Sequence, residues 1–565
     1  MSGNPWYRTL ISGVLEQQAG LSVGGAAERD EGPDGCLRDG CGRLTIPGTG
    51  LAGALVETAA RLYPGLVAAD DTQRLLGRAI TAKEGGLPRG SPDEADARLR
   101  QSVWRCFHAH PLDEPSPEWR QGVGIRQATG ATARQKKALY DFEFVPVGTR
   151  WRFFLEVDTF RGGLEAEALA ALALHEWQLG RGWLGRAPAR GTGWIRLLTD
   201  DSLRVLRLPR TEALLNVWPD NTRTLADQLQ AVAAAGVEPI PWAELWQQSR
   251  ALAESQGWRR GDWHYLCFPV ELAPGLAADG YGYDVLQVGG HPAGDLLSRQ
   301  VAPRPALSQN RTADLAAATD GQFRRPDAPF VTTRPAGAAE EQPYLPGGGL
   351  RGPLRHTASR LARIRQPVRD PNHKDDPLEE PLRGALEERR AAGAPLNDAE
   401  IRQLDCLDPI AGLFGTEELC GRILVRDARL HGAEYELARV EHHAQDEFTG
   451  GVYAGSKFDR NVLLHGPLRF EIAVEAPSRP ELDALLQPLI PTLELARLGQ
   501  VPIGGSKWRG AGWVPWQIGP LSLWRAGDEQ PLAEDGVTQE HVAQRVATLL
   551  QQANQQTEVG GGKET

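Results

Sequence analysis

Two stretches of the chain alternate apolar and polar residues in the way that predicts a β-strand. "RWRFFLEV" (150–157) follows the turn Val147-Gly148, and "LRFEIAV" (468–474) follows the turn His465-Gly466. Successive side chains of a strand point to opposite faces, so this period of two is typical of a half-buried strand. A polar segment that contains Thr-Gly precedes each turn. The pattern therefore predicts equivalent strands in two copies of one unit.

Helical spacing of apolar residues appears outside these copies. "TLADQLQAVAAAG" (224–236) and "PWAELWQQSRALAESQGW" (241–258) combine this spacing with good helix formers. They predict a helical connector over residues 201–260. The same pattern in "TQEHVAQRVATLLQQANQQ" (538–556) predicts a C-terminal helix within 528–565, followed by a flexible tail of about eight residues.

A glycine-rich turn occurs twice, each time at the start of a helical pattern. "GRLTIPGTGLAGAL" (42–55) and "QPYLPGGGLRGPLR" (342–355) share the order apolar, Pro, Gly, x, Gly, Leu, x, Gly, x, Leu. Such a turn exposes backbone N–H groups at the positive end of a helix, which suits a phosphate. A purely structural turn from strand to helix is the alternative for either copy.

Further landmarks follow the same order in both copies. "LSVGG" (21–25) and "LQVGG" (286–290) precede the turns, and two longer segments with Arg-Gly-x-Gly-Trp follow them, "LGRGWLGRAPARGTGWIRL" (179–197) and "LGQVPIGGSKWRGAGWVPW" (498–516). Matches in the same order predict a duplicated domain, one copy over 1–200 and the other over 261–527. The second copy is longer before its turn, which predicts an inserted loop over 291–343.

The helix after the second turn is unusually basic. "LRGPLRHTASRLARIRQPVR" (350–369) contains six arginines and no acidic residue. Arg351 and Arg355 are four residues apart and share a helix face. Because a solvated helix normally mixes both signs of charge, this run indicates an anionic partner, with a merely basic surface as the alternative.

Composition changes this picture only in part. The net charge of −11, from 62 basic and 73 acidic residues, argues against nucleic acid when taken alone, but a binding face needs only local positive charge. The chain has 55 Arg and 7 Lys, which reflects either codon usage or a need for planar guanidinium groups. Six cysteines, no apolar run of about 18 residues and a start without a signal-peptide pattern predict a cytoplasmic protein.

Taken together, these segments resemble the RAMP superfamily, and in particular the backbone subunits of type III CRISPR effector complexes. The resemblance rests on the "L-x-V-G-G" ends, the "I/L-P-G-x-G-L" turns, the closing Gly-rich Arg loops, and "DPIAGLFGTEELCGRILVRDARL" (408–430). It covers nearly all of 1–200 and 261–527, and two such domains in one chain resemble the fused subunits of III-D-like systems. The resemblance implies an α+β fold of two tandem ferredoxin-like (RRM-like) domains with thumb hairpins.

The resemblance also implies a function. The chain would bind guide RNA (crRNA) as a backbone subunit, beside other RAMP subunits and the large subunit of the complex, and would cleave bound target RNA with loop aspartates and Mg²⁺ or another divalent cation. Asp327, in "RRPDAPF", fits the aspartate pattern. In the first copy Asp34 is the better match and Asp30 is the alternative. An ordinary aspartate is a weak base at neutral pH, so both Asp34 and Asp327 are expected to hold the metal.

The candidate RNA contacts are glycines and threonine of the turns and basic residues of the loops, hairpins and Arg-rich helix. They are Gly48, Thr49, Arg134, Lys136, Arg190, Gly348, Gly349, Arg351, Arg355, Arg360, Lys457, Lys507 and Arg509. Ala52 stands where the family usually has Lys or Arg, which weakens the expectation for the first turn.

Other functions stay open at this stage. The first is a structural crRNA-binding backbone whose aspartates only form turns. The second is a stand-alone RNA-processing enzyme, which would need a His near a Gly-rich loop. A structural zinc is a third alternative, held by residues from the set Cys36, Cys41, Cys106, His108 and His110.

Overall fold

A computed structural model gives the architecture of the chain. It describes residues 6–24, 35–68, 102–124, 139–209, 239–275, 285–289, 330–365, 409–415, 420–432, 434–443, 445, 449–451, 458–536 and 541–561. Within these residues, no helix is both long and apolar enough to cross a bilayer.

The first half of the chain forms a mixed, antiparallel α+β unit. Its elements are β1 (Trp6–Gln17), α1 (Gly48–Leu62), α2 (Pro64–Ala68), β2 (Trp104–Cys106), β3 (Glu118–Val123), β4 (Leu139–Phe144), β5 (Arg150–Val157), α3 (Thr159–Gln178), β6 (Gly182–Trp183), β7 (Trp194–Leu197) and β8 (Arg204–Pro209). Six of the strands form a sheet in the order β2-β5-β1-β7-β6, and β8 also pairs with β1.

The second half repeats this plan with additions. Its elements are α4 (Trp242–Ser255), β9 (His264–Leu272), β10 (Thr332–Thr333), β11 (Gln342–Leu345), α5 (Gly347–Arg365), α6 (Pro409–Phe414), β12 (Ile423–Val425), β13 (Ala428–Leu430), β14 (Glu436–His442), β15 (Phe458–His465), β16 (Leu468–Ala476), α7 (Arg479–Arg497), β17 (Trp516–Ile518), β18 (Ser522–Arg525), β19 (Ala533–Glu534) and α8 (Val542–Gly561). The sheet order is β10-β11-β13-β16-β9-β18-β19, with β12 on β16 and β17 on β9.

Each sheet contains four central strands, and the four of one sheet are equivalent to the four of the other. In the first half, the order along the chain is β1, α1, β2, β5, α3, β7, and the strands lie side by side in the order β7-β1-β5-β2. In the second half, the order along the chain is β9, α5, β12, β16, α7, β17, and the strands lie side by side in the order β17-β9-β16-β12. The sequence strand, helix, strand, strand, helix, strand, with the fourth strand beside the first, is the ferredoxin-like arrangement. The predicted α+β class is confirmed, and each glycine-rich turn begins the first helix of its sheet.

A separate two-stranded hairpin leaves each unit between its second and third central strands. β3 pairs with β4 in the first half, and β14 pairs with β15 in the second. These hairpins lie where the thumbs were predicted. Each is followed by the predicted turn, in which Gly148 or Gly466 has a positive φ, and then by the predicted strand.

The structure departs from the predicted boundaries at three places. Residues 204–209, expected in a helical connector, form β8, because buried Val205, Leu206 and Leu208 fit the first sheet beside β1. The predicted helix in 241–258 is present as α4 and packs on α3. The expected inserted loop 291–343 contains β10 and the start of β11, and α8 continues to Gly561, into the segment expected as a tail.

One apolar core lies in each half, and the first core also includes residues of α4 together with Tyr265 and Ala526 of the second half. A third apolar cluster joins the halves. In this cluster, Ala19 and Trp194 of the first half contact Leu424 and Ala473 of the second. The two sheets therefore meet at a packed junction.

Candidate nucleic-acid interface

The glycine that begins each first helix is set by close packing on the neighbouring strand. A Cβ on Gly48 would lie 2.1 Å from the Cys106 carbonyl oxygen, and one on Gly347 would lie 2.2 Å from that of Val425. The Gly48 N–H donates to His108 Nδ1 at 3.2 Å, and the Gly347 N–H donates to Asp427 Oδ1 at 2.7 Å. These first N–H groups are thus held within the protein. Thr49 and Gly50 of the first turn and Gly349 of the second are exposed.

The Arg-rich helix α5 places two of its arginines partly inside the protein. The Arg351 side chain donates to the Phe414 carbonyl oxygen, and its guanidinium lies 5.5 Å from the centre of the Phe414 ring. Burial, together with the positive charges of Arg355 and Arg190, lowers the pKa of Arg351 to about 10. Arg360, one turn beyond Arg355, is exposed.

Arg190 reaches this helix from the other half of the chain. It ends a short 3-10 turn, Pro188–Arg190, which packs against both α5 and β12. A Cβ on Gly348 would lie 3.7 Å from Arg190 Cβ. The junction thus assembles Arg190, Arg351 and Arg355, which we call the junction arginine cluster. Arg351 and Arg355 are partly buried and Arg190 is exposed. Together the three like charges raise the local positive potential, which favours a polyanion.

The Gly-rich loop of the second half builds another basic group. Its 3-10 turn, Lys507–Arg509, lies beside the hairpin β14–β15, because Arg460 of β15 donates to Ser506 Oγ at 3.1 Å. Burial lowers the pKa of His442, and nearby Arg509 and Arg460 lower it further. Burial also lowers the pKa of Lys507. Lys507 and Arg509, both predicted, are joined here by Arg460 and His442.

Arg460 was not among the residues predicted from the sequence. The residue lies in a polar segment of the hairpin, and only the pairing of β14 with β15 shows which residues lie opposite each other. The antiparallel register places Arg460 opposite Val440, two pairs from the end pair that contains His442. The signal available in sequence was a basic residue within the segment of the predicted thumb.

Both loops that carry the candidate aspartates return to the same place in the fold. Cys36 forms a bridge with Gly24, and Phe330 forms a bridge with Gly289. Gly24 and Gly289 are equivalent residues of the "L-x-V-G-G" segments. Asp34 is two residues before its bridge and Asp327 three residues before its own, so the two spacings differ by one.

Several predicted residues lie outside the described part of the chain. They are Asp34 and its alternative Asp30, Asp327, Arg134, Lys136 and Lys457. The described residues contain no group of three or more His, Cys, Asp or Glu side chains that could hold a metal ion. Among the zinc candidates, Cys36 is buried and Cys41 is exposed, and burial raises the pKa of the Cys36 thiol to about 12.

The junction also contains a buried ion pair that the sequence did not indicate. Arg120 of β3 donates to both carboxylate oxygens of Asp427, at 3.2 and 2.6 Å. The side chains are 6% and 3% exposed. Since Asp427 also accepts from Gly347 N, it ties the first hairpin to the start of α5.

Comparison with known proteins supports the duplicated architecture. A family model described as the RAMP superfamily matches residues 21–196 and 312–514, one region in each half. No curated protein matches the chain at a significant level. The two regions together span most of the chain and include both Gly-rich loops. The chain therefore belongs to the RAMP superfamily, as a tandem member with a matched region in each half.

Proposed function

We propose that this protein is a guide-RNA-binding backbone subunit of a type III CRISPR effector, and that it cleaves bound target RNA through loop aspartates. Membership of the RAMP superfamily supports RNA binding. The observation that carries the proposal is the junction arginine cluster, in which Arg190 of the first half lies beside Arg351 and Arg355 of the second.

The cluster suits a nucleic-acid backbone for an energetic reason. Partial burial of Arg351 strengthens its electrostatic interactions, and its like-charged neighbours oppose its positive charge, as its lowered pKa indicates. A phosphate placed there relieves this repulsion while releasing counterions from the RNA. Guanidinium groups also offer the planar, two-pronged geometry that matches phosphate oxygens.

Guide binding is tested by neutralising the cluster. Arg190→Gln, Arg351→Gln and Arg355→Gln should each weaken binding of a labelled single-stranded RNA. Each should also reduce the slope of log affinity against log salt by about 0.7 for every phosphate that the variant no longer neutralises. Arg250→Gln is a matched control, because Arg250 is an exposed helix arginine paired with Glu254 at 3.0 Å. Unchanged affinity and slope in all three variants would overturn the assignment of this surface to RNA.

Cleavage is proposed for Asp327 and Asp34, whose segments lead into equivalent bridges. RNA scission by the adjacent 2′-hydroxyl needs in-line geometry, which the bound guide would impose on the target. A divalent cation held by these carboxylates would activate the hydroxyl or stabilise charge on the phosphate.

Asp327→Ala should remove one target cut and Asp34→Ala a separate cut, with guide binding retained. The measurement is a cleavage ladder of the assembled complex with Mg²⁺ and with EDTA. Asp39→Ala is the control for a nearby loop carboxylate, since Asp39 instead holds the Cys41 and Arg43 N–H groups. Asp30→Ala tests the alternative in the first copy. An unchanged ladder in the Asp34/Asp327 double variant would leave a non-catalytic backbone subunit.

A further inference from the structure

One face of the second sheet lies away from the helices α5 and α7. Leu468, Phe470 and Ile472 of β16 belong to the core that these helices complete. Successive side chains of a strand point to opposite faces, so Arg469 and Glu471 point away from the helices. We call this side of the sheet the open face. A charged side chain on the open face therefore lies outside the apolar core of the second half.

Four arginines lie on or beside the open face, and they differ in their partners. Three of them have a carboxylate within ion-pair distance, in the pairs Arg469–Glu271 at 2.5 Å, Arg426–Glu471 at 3.4 Å and Arg120–Asp427 at 2.6 Å. The fourth is Arg429 of β13, which is partly buried. Within the part of the chain that the structure describes, its guanidinium has no hydrogen bond, ion pair or stacked ring. Arg429 is therefore a partly buried charge without a counter-charge in contact.

The surroundings of Arg429 are themselves positive. In the pairing of β13 with β16, Arg429 lies directly opposite Arg469, and like charges at such positions destabilise a sheet. Burial lowers the pKa of Arg429, and the positive charges of Arg120 and Arg426 also lower it, whereas the carboxylate of Asp427 has the opposite effect. The side chain thus costs folding free energy in the free protein, because desolvation and repulsion are not offset by a contacting anion.

The first half shows that the fold does not require a charge at this position. In each half, an alanine pairs with the apolar residue before the Pro-Gly of the turn, and these pairs are Ala109–Ile46 and Ala428–Leu345. The next residues, His110 and Arg429, are therefore equivalent. His110 Nδ1 lies 3.1 Å from Thr45 Oγ1 and 3.3 Å from the Leu44 carbonyl oxygen. The polar group at this position is satisfied within the protein in the first half, whereas in the second half it is left for an external anion.

We infer that Arg429 binds a phosphate group of an RNA strand that crosses the open face between the two hairpins. The inference rests on the proposed RNA binding and adds a phosphate site outside the junction arginine cluster. Its location fits a strand passing from one hairpin to the other, since Arg120 belongs to β3 and β14 follows β13 along the chain. A phosphate would accept two parallel hydrogen bonds from the guanidinium and would offset the repulsion from the neighbouring arginines.

The first test is the affinity of the full chain for a labelled single-stranded RNA. Arg429→Gln should weaken binding by roughly tenfold, and should reduce the slope of log affinity against log salt by about 0.7, because one phosphate is no longer neutralised. Arg429→Lys keeps the charge and should restore the slope. Arg150→Gln is the matched control, because Arg150 is an exposed strand arginine paired with Glu16 at 3.3 Å. An Arg429→Gln variant with the affinity and slope of the parent would overturn the inference.

The second test is the stability of the protein without RNA. Arg429→Gln and Arg429→Met each remove an uncompensated charge, so both should raise the urea concentration at the midpoint of unfolding. Arg120→Gln, which leaves Asp427 without its partner, should lower this midpoint. Added RNA should then raise the midpoint of the parent more than that of either Arg429 variant. A lower midpoint in both Arg429 variants would show that the guanidinium is already satisfied within the chain, which contradicts the inference.

Arg351→Gln separates this inference from the proposed function. Loss of affinity in Arg351→Gln but not in Arg429→Gln would exclude the Arg429 site alone and assign its guanidinium to an acidic group other than RNA. A parent that binds no RNA would overturn both proposals. If each variant lowers the salt slope and the double variant lowers it by the sum, Arg351 and Arg429 neutralise two different phosphates, which is the expected result.

Discussion

Residues 185–193 and 504–512 trace the same backbone path in different surroundings. In both segments a non-glycine residue adopts a left-handed conformation, Ala187 at φ 55° and Ser506 at φ 53°, and a 3-10 turn follows. Yet Ala189 of the first turn is packed into the junction, while Trp508 of the second is 97% exposed. The loop geometry therefore belongs to the repeated unit, and the side chains decide what each loop contacts.

The largest loss of folding stability is expected at the buried ion pair Arg120–Asp427 of the junction. Asp427→Ala leaves Arg120 buried without its carboxylate and removes the acceptor of the Gly347 N–H, so it should lower the free energy of unfolding by about 3–5 kcal/mol. His108→Ala at the counterpart position should cost about 1 kcal/mol, since it removes one hydrogen bond from an exposed residue. Denaturant titration compares them. Equal losses would show that the two positions are not chemically different.

Next in size is a change that should affect both loops alike. Gly193 and Gly512 both have φ 85°, and a Cβ on either would lie 2.1 Å from a carbonyl oxygen, that of Leu184 or Ile503. Gly193→Ala and Gly512→Ala should each cost at least about 2 kcal/mol, because strain and overlap add. Gly257→Ala, at φ 64° with open space around it, isolates the strain alone. A large loss at one loop only would contradict the shared geometry.

A smaller effect is the pH dependence of the free energy of unfolding that comes from Glu118, which lies at the junction. Burial raises the pKa of Glu118 to about 7, although the Arg334 N–H donates to its carboxylate at 2.6 Å. Since the folded protein then binds a proton that the unfolded chain releases, stability should fall as pH rises from about 4.5 to about 7, by on the order of 2 kcal/mol. Glu118→Gln should remove this part of the pH dependence. The test is the difference between the two stability profiles, and identical slopes would contradict it.

The smallest effect concerns Trp508 in an isolated chain. Trp508→Ala should change the free energy of unfolding by less than about 0.5 kcal/mol, because the side chain is almost fully solvated. The measurement is made at concentrations where the protein is a single chain. A loss of several kcal/mol would mean that the side chain is packed within its own chain, which would remove the contrast with Ala189.

Sequence patterns located the elements that depend on local chemistry. The alternating strands 150–157 and 468–474, the helices after the two glycine-rich turns, and the turns at Gly148 and Gly466 all follow from period, turn residues and helix formers. Repetition then predicted which elements are equivalent. The short strand β8 was missed because the segment around it is dominated by helix formers, and its strand conformation depends on pairing with β1.

The contacts between halves could not be predicted in the same way. Arg120 and Asp427 are 307 residues apart, and no local pattern joins one to the other. Arg351 was predicted to contact RNA from a basic helix face, and no pattern in the sequence indicated that part of its side chain is buried against Phe414. Which of two similar loops is covered depends on the order of the halves along the chain. The roles of Asp34 and Asp327 remain predictions, because both residues lie outside the described part of the chain.

The 307-residue separation of Arg120 and Asp427 has a consequence during synthesis. A ribosome that adds about 5–20 residues per second needs roughly 15–60 s to pass from one to the other. For about three quarters of that time, after Trp194 has been added, the completed first half presents Ala189 and Trp194 without the surface that later covers them. Neighbouring nascent chains on one messenger would carry the same uncovered surface, but no surface to cover it until β12 and Asp427 have emerged. The order of the halves thus delays this apolar contact until a chain can make it with itself.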